Sequence, residues 1–177
     1  MSGEVTTLLA ATAAAFTALL FARAAWHKLS DFAAFTGFVA DYRLVPEAQV
    51  KPVAAALVAA EVAIPLALVI PGTATIGAAL AIGLLGLYAA AMGINIARGR
   101  TSIECGCGGA PNLLSPALIV RNAVLAAVAG LVLLDPGIGL SFGNAVIAVA
   151  LGLLLLACFV LAEQVLANGM RARMARR

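Results

Sequence analysis

The sequence predicts an all-α integral membrane protein: a four-helix transmembrane bundle, a fifth C-terminal transmembrane helix, and a short amphipathic surface helix after the first span. Three observations predict it. Of the 177 residues, 64% are apolar and only 11% are charged, more apolar surface than a soluble domain of this size can hide. The apolar residues fall in runs near the ~20 needed to cross the hydrocarbon core. Alternation of period two is absent, which argues against a barrel and leaves helices, the other fold that satisfies its backbone in lipid.

The elements follow in order. The first span covers residues 5–26, and Arg23, Trp26, His27 and Lys28 mark its interfacial end. The opening Met-Ser-Gly-Glu lacks the positive region of a cleavable leader, so this run reads as a retained span. Ser30 is the expected N-cap of the next helix. There Phe32, Phe35, Phe38, Val39 and Tyr42 recur at helical spacing, as in a helix lying on the membrane surface. Pro46 and Pro52 are expected to break the chain.

The second span covers 53–70, with Glu61 near its middle, and Pro71-Gly72 makes a turn. The third covers 73–97. Its Gly86, Ala90 and Gly93 share a face suited to close helix approach, and Asn95 lies near its end. A polar loop over 98–115 carries Cys105 and Cys107. The fourth span, 116–134, holds Arg121 and Asn122 in its first turns and ends at Asp135-Pro136-Gly137. The fifth covers 144–166 and leads into a basic tail. No internal repeat is evident, and the spans are expected to form one domain over 1–177.

Parity then places His27, Lys28, Asn95, Cys105, Cys107, Arg121 and Asn122 toward one membrane face, with Glu61 approaching it from deeper in the bilayer. Lys28, Arg43, Lys51, Arg98, Arg100 and the tail arginines all fall on that face. By the positive-inside rule the cysteine loop is cytoplasmic and the N-terminus is outside. The net charge of +3 is thereby a topology signal, and nucleic acid is not an expected partner.

Cys105 and Cys107 flank one glycine. Residues so close can form a disulfide, but the ring is strained, and Gly106 supplies the backbone freedom it needs. Strained, exposed disulfides exchange readily, and Lys28, Arg98, Arg100 and Arg121 would favour the thiolate. Inert thiols and half a metal site are the alternatives. A metal is not expected, because one histidine and no further loop cysteine remain to complete a coordination shell. Cys158, in the middle of the fifth span, reads as a packing residue.

Glu61 is costly within a bilayer and should find a partner. Arg121 is the expected one, with Asn95 and Asn122 completing a polar clamp between the second and fourth spans. The functional alternative is a protonatable group beside a substrate cavity or a membrane quinone, the one candidate cofactor. His27 reads as an interfacial anchor before a catalytic base.

His27-Lys28, Phe35, the Tyr42…Leu44…Pro46 segment, Glu61, Cys105-Gly106-Cys107-Gly108 and Arg121-Asn122 together resemble the MauE family, methylamine-utilisation membrane proteins related to the DoxX-like group. The likeness spans roughly residues 20–135. The family's loop often reads Cys-Gly-Cys-Phe-Gly, and Gly108 stands here where the phenylalanine would fall. The resemblance implies a redox-associated, multi-pass protein of the bacterial inner membrane, a thiol-disulfide oxidoreductase working through Cys105 and Cys107. It further implies a thioredoxin-like partner of the MauD type and maturation of the exported small subunit of methylamine dehydrogenase. Two rivals stand beside this reading: a non-catalytic scaffold for a secreted partner, and a small-molecule transporter centred on Glu61.

Overall fold

A computed structural model describes residues 2–103, 113–135 and 141–174. Among them the chain forms six α-helices: α1 (Ser2–Ser30), α2 (Phe32–Asp41), α3 (Glu47–Val69), α4 (Ala74–Ala97), α5 (Pro116–Gly130) and α6 (Phe142–Met174). A 3-10 turn, Leu131–Leu134, extends α5. Five stretches are long and apolar enough to cross a membrane: Gly3–Ser30, Glu47–Val69, Ala74–Ala97, Pro116–Leu134 and Phe142–Asn168. Five is the number of spans expected from the sequence.

α1 is the most buried span and α6 the least. α1 packs on α3 on one side and on α6 on the other, while α4 packs on α3 and α5. The four-helix core is therefore α1, α3, α4 and α5, with α6 laid along α1. Phe16, Phe21, Ile64, Leu85 and Val132 fill its centre.

Several local expectations need correction. α1 runs to Ser30, whose hydroxyl donates back to the Trp26 carbonyl at 2.8 Å. The cap of α2 is Asp31 instead, its carboxylate accepting from the Ala34 amide at 2.9 Å. Pro52 does not break the chain, since α3 begins at Glu47, with Pro46 as its N-cap. Pro52 falls near the start of the helix, where its missing N–H leaves only an early carbonyl without its helical partner.

The close helix approaches also lie elsewhere than expected. Gly86 and Ala90 are exposed and Gly93 is half-buried. A methyl added at Gly77 would instead meet the Leu68 amide nitrogen at 2.9 Å, and one at Gly152 would meet the Ala15 β-carbon at 2.9 Å. Gly77 lets α3 and α4 close on each other just past their turn, and Gly152 seats α6 on α1. Cys158 is exposed on α6 rather than packed between helices.

The amphipathic helix α2 turns its aromatic stripe onto α3. Phe35 is buried against Ala54 and Val58, with Phe32, Phe38 and Val39 around it. This is the element that roofs the site.

Candidate functional site

Three helices bring a lysine, a glutamate and a tyrosine together inside the bundle. Lys28 of α1 donates through Nζ to Glu61 Oε1 of α3, and the Tyr88 hydroxyl of α4 donates to the same oxygen at 2.7 Å. Glu61 has no exposed surface and Lys28 is 4% exposed. The lysine ammonium also lies 5.0 Å from the centre of the Phe35 ring and 5.1 Å from that of Tyr88, within reach of both ring faces. Removing a charge from water costs about several kcal/mol per ion, so Lys28 and Glu61 are stable there only as a pair. Glu61 Oε2 finds no hydrogen-bond partner among the described residues.

Here the sequence reading of Glu61 is overturned in its partner. Arg121 does not pair with Glu61. It donates to Glu163 Oε1 of α6 at 2.6 Å and to Asn122 Oδ1 at 3.3 Å, while Arg23 of α1 lies 3.9 Å from Glu163 Oε2. Asn122 donates to the Leu85 carbonyl at 3.4 Å. Asn95 accepts from Arg100 at 2.9 Å and donates to the Ala91 carbonyl. The clamp centred on Glu61 thus ties α1, α3 and α4, and a second clamp centred on Glu163 ties α5, α6 and α1. Both face one small, half-open cavity of about 40 Å³, lined among others by Arg23, Glu61, Tyr88, Arg121, Asn122 and Glu163. The expectation that Glu61, Arg121 and Asn122 converge holds at this cavity. Asn95 lies outside it, and His27 is exposed on the outer side of α1.

Lys28 was expected at the membrane interface and is buried instead. Its neighbours on the helix explain the difference. Ala25 is buried while Trp26 and Leu29 are exposed, so the lysine side of the helix faces the bundle and its neighbours face out. Tyr88 and Glu163 carried no weight in the sequence reading. Glu163 could have been found by the reasoning applied to Glu61, since it too is a carboxylate within a predicted span. Tyr88 gives no such signal, because an aromatic in an apolar run is ordinary.

A larger, half-enclosed cavity of about 170 Å³ opens on the other side of the Tyr88 ring. Phe35 and Phe38 of α2, Tyr42, Leu57 of α3, and Tyr88 and Met92 of α4 contribute to its wall. Tyr42 is half-buried, and burial pushes its phenol up to about 12, with the Arg121 charge pulling the other way. Arg100 fixes the end of α2, donating to the carbonyls of Asp41 at 2.7 Å and Tyr42 at 3.3 Å.

Cys105 and Cys107 lie outside the described residues. What is described is the seat of their loop. The Leu114 amide donates to the Ile103 carbonyl at 3.1 Å, so the two ends of the loop are held side by side. Met92, Leu114 and Leu118 are buried together there, with Tyr42, Tyr88 and Ile103 against them. Tyr42, Tyr88 and Met92 of this cluster also wall the 170 Å³ cavity.

Residues 6–135 match the family model described as methylamine utilisation protein MauE. The chain is 43% identical over 116 residues to the methylamine utilization protein MauE of Paracoccus versutus, covering 64% of this chain and 62% of that one. It is 43% identical over 117 residues to its namesake in Methylorubrum extorquens, with 65% and 63% covered. A third, from Methylophilus methylotrophus, is 33% identical over 156 residues, 85% of this chain and 82% of that protein. The alignment to the Paracoccus versutus relative thus spans less than two thirds of that protein's length. No solved structure matches the chain.

Proposed function

The chain belongs to the family of the methylamine utilisation protein MauE and is a multi-pass membrane protein, and from that premise we propose that it exchanges disulfides with a protein partner through Cys105 and Cys107. The observation that carries this reading is the bond that joins the chain on either side of them. Two cysteines one residue apart sit between chain ends joined by the Leu114–Ile103 bond, at the end of the bundle where Arg98 and Arg100 leave α4. The chain ends on either side of the cysteines are thus held together, which supports a dithiol offered to a partner from that end of the bundle.

The exchange runs by thiolate chemistry. One thiolate attacks a partner disulfide and forms a mixed disulfide, and the second cysteine resolves it. The partner's dithiol is released as the Cys105–Cys107 disulfide forms, and the reverse sequence oxidises a partner dithiol. Lys28 and Arg121 are engaged with carboxylates, so Arg98 and Arg100 are the cations left to favour the thiolate. The names of the relatives support methylamine metabolism as the setting. The partners of this reading are a thioredoxin-like, MauD-type protein and the exported small subunit of methylamine dehydrogenase, with the chain in the bacterial inner membrane.

The test is the pair of variants Cys105→Ser and Cys107→Ser, expressed in cells lacking the native protein. Mass spectrometry of the exported small subunit is expected to show unpaired cysteines in both, with normal membrane insertion of the variants. A correctly disulfide-bonded subunit in either variant overturns the proposal.

A further inference from the structure

We propose that the half-open cavity between α1, α5 and α6 binds the phosphate of an anionic phospholipid, with Arg23 as the residue that donates to its oxygens. The site needs nothing from the cysteine loop and stands apart from the thiol-exchange reading.

Arg23 lies within an apolar span, where a guanidinium is costly unless its N–H donors are engaged. Among the described residues it donates no hydrogen bond. Its ionic neighbour there is Glu163 Oε2 at 3.9 Å, beyond hydrogen-bond reach. Glu163 is meanwhile engaged by Arg121 at 2.6 Å. The Arg23 side chain lines the cavity and is 27% exposed, so its donors are open to a ligand.

The lining carries one positive charge in excess. Glu61 is neutralised by Lys28, which leaves Arg23 and Arg121 against Glu163 alone among the described residues. An anionic oxygen cancels that excess, and a guanidinium fits phosphate through paired N–H donors. Basic pockets between transmembrane helices hold anionic headgroups in this way.

The depth of the site selects a lipid over a soluble anion. Trp26 is 71% exposed, on the outside of α1, and tryptophan gathers at the headgroup level. Arg23 precedes it by three residues, about 4.5 Å along the helix, a depth from which an arginine side chain reaches that level. Leu20 and Phe159 line the same cavity and are half-buried. The groups beside the phosphate are therefore apolar, as the first acyl carbons of a lipid require. Water is the competing occupant; it would be indifferent to the headgroup.

Trp26 is the single tryptophan of the chain and reports occupancy by quenching. The full chain is placed in phosphatidylcholine nanodiscs, and brominated phosphatidylglycerol is titrated in, with brominated phosphatidylcholine as the reference. Quenching by phosphatidylglycerol is expected to saturate, with a preference of about tenfold over phosphatidylcholine. Arg23→Gln is expected to abolish the preference with an unchanged unfolding midpoint, since Arg121 still holds Glu163. Ala24→Leu narrows the cavity from α1 and repeats the test if the first variant does not fold. Lys51→Gln, at an exposed position of α3 outside the cavity, is expected to keep the preference. Equal quenching by the two lipids, a preference that survives in a folded Arg23→Gln or Ala24→Leu variant, or an equal loss in Lys51→Gln overturns the site. Relief of quenching by inorganic phosphate at constant ionic strength overturns the lipid as its occupant.

Discussion

Lys28 on α1 and Glu61 on α3 form an ion pair in the interior of the bundle, closed by the Tyr88 hydroxyl on the same carboxylate oxygen. The pair joins the first span to the second, and its Tyr88 lines both the polar and the apolar cavity. Its consequences can be measured one at a time.

Removing one member leaves the other charge buried without compensation. Glu61→Gln is expected to destabilise the protein by about 3–5 kcal/mol. The double variant Lys28→Met with Glu61→Leu buries no charge and is expected to be more stable than Glu61→Gln. Thermal unfolding in detergent checks the order, and a double variant less stable than the single one contradicts the pairing.

Glu163 holds Arg121 and lies near Arg23, so it fastens α6 to the core. A hydrogen bond to a charged group contributes about 1.5–3 kcal/mol. Glu163→Gln is therefore expected to loosen α6 while leaving α1–α5 folded. Limited proteolysis of the C-terminal region reads this directly, as earlier cleavage than in the wild type.

Gly77 and Gly152 sit where a β-carbon would come within 2.9 Å of a neighbouring helix. Gly152→Val is expected to cost about 1–3 kcal/mol through overpacking. Gly86→Ala, at an exposed position with no neighbouring heavy atom within 4 Å, is expected to leave the unfolding midpoint unchanged.

Tyr42 carries a pH dependence outside the spans. Its phenol rises from 10.0 to about 12, chiefly through burial. The folded chain then holds the proton longer than the unfolded one, so Tyr42 favours folding below about pH 10. That contribution is lost as the pH rises through about 12. Ultraviolet titration of the wild type minus Tyr42→Phe is expected to show one phenol ionising near 12, and a difference curve centred at 10 contradicts the buried placement.

The sequence made the spans legible because apolar runs of that length have few other solvents. It also located Glu61, because a carboxylate at that depth demands a partner. The partner itself was not legible. A lysine ending an apolar run ordinarily snorkels to the interface, and only the rotation of α1 shows that Lys28 turns inward. Arg121 was the expected partner because it is the basic residue of the fourth span. Its capture by Glu163 depends on how α6 lies across α1, which no local pattern encodes. The start of α3 was misplaced for a local reason, since a proline near the N-terminus of a helix reads in sequence like a proline that ends one.

The central claim is that Cys105 and Cys107 cycle between dithiol and disulfide, and thiol labelling tests it most directly. Cells carrying Cys158→Ala are treated with a membrane-impermeant maleimide, with and without prior reduction, and again after the membrane is opened. The account predicts labelling that requires prior reduction, and labelling from outside the intact cell would set aside the cytoplasmic placement read from the positive charges. Full labelling of both cysteines without any reductant, in intact or opened cells and in the presence of the native partners, would mean an inert dithiol and would contradict the account.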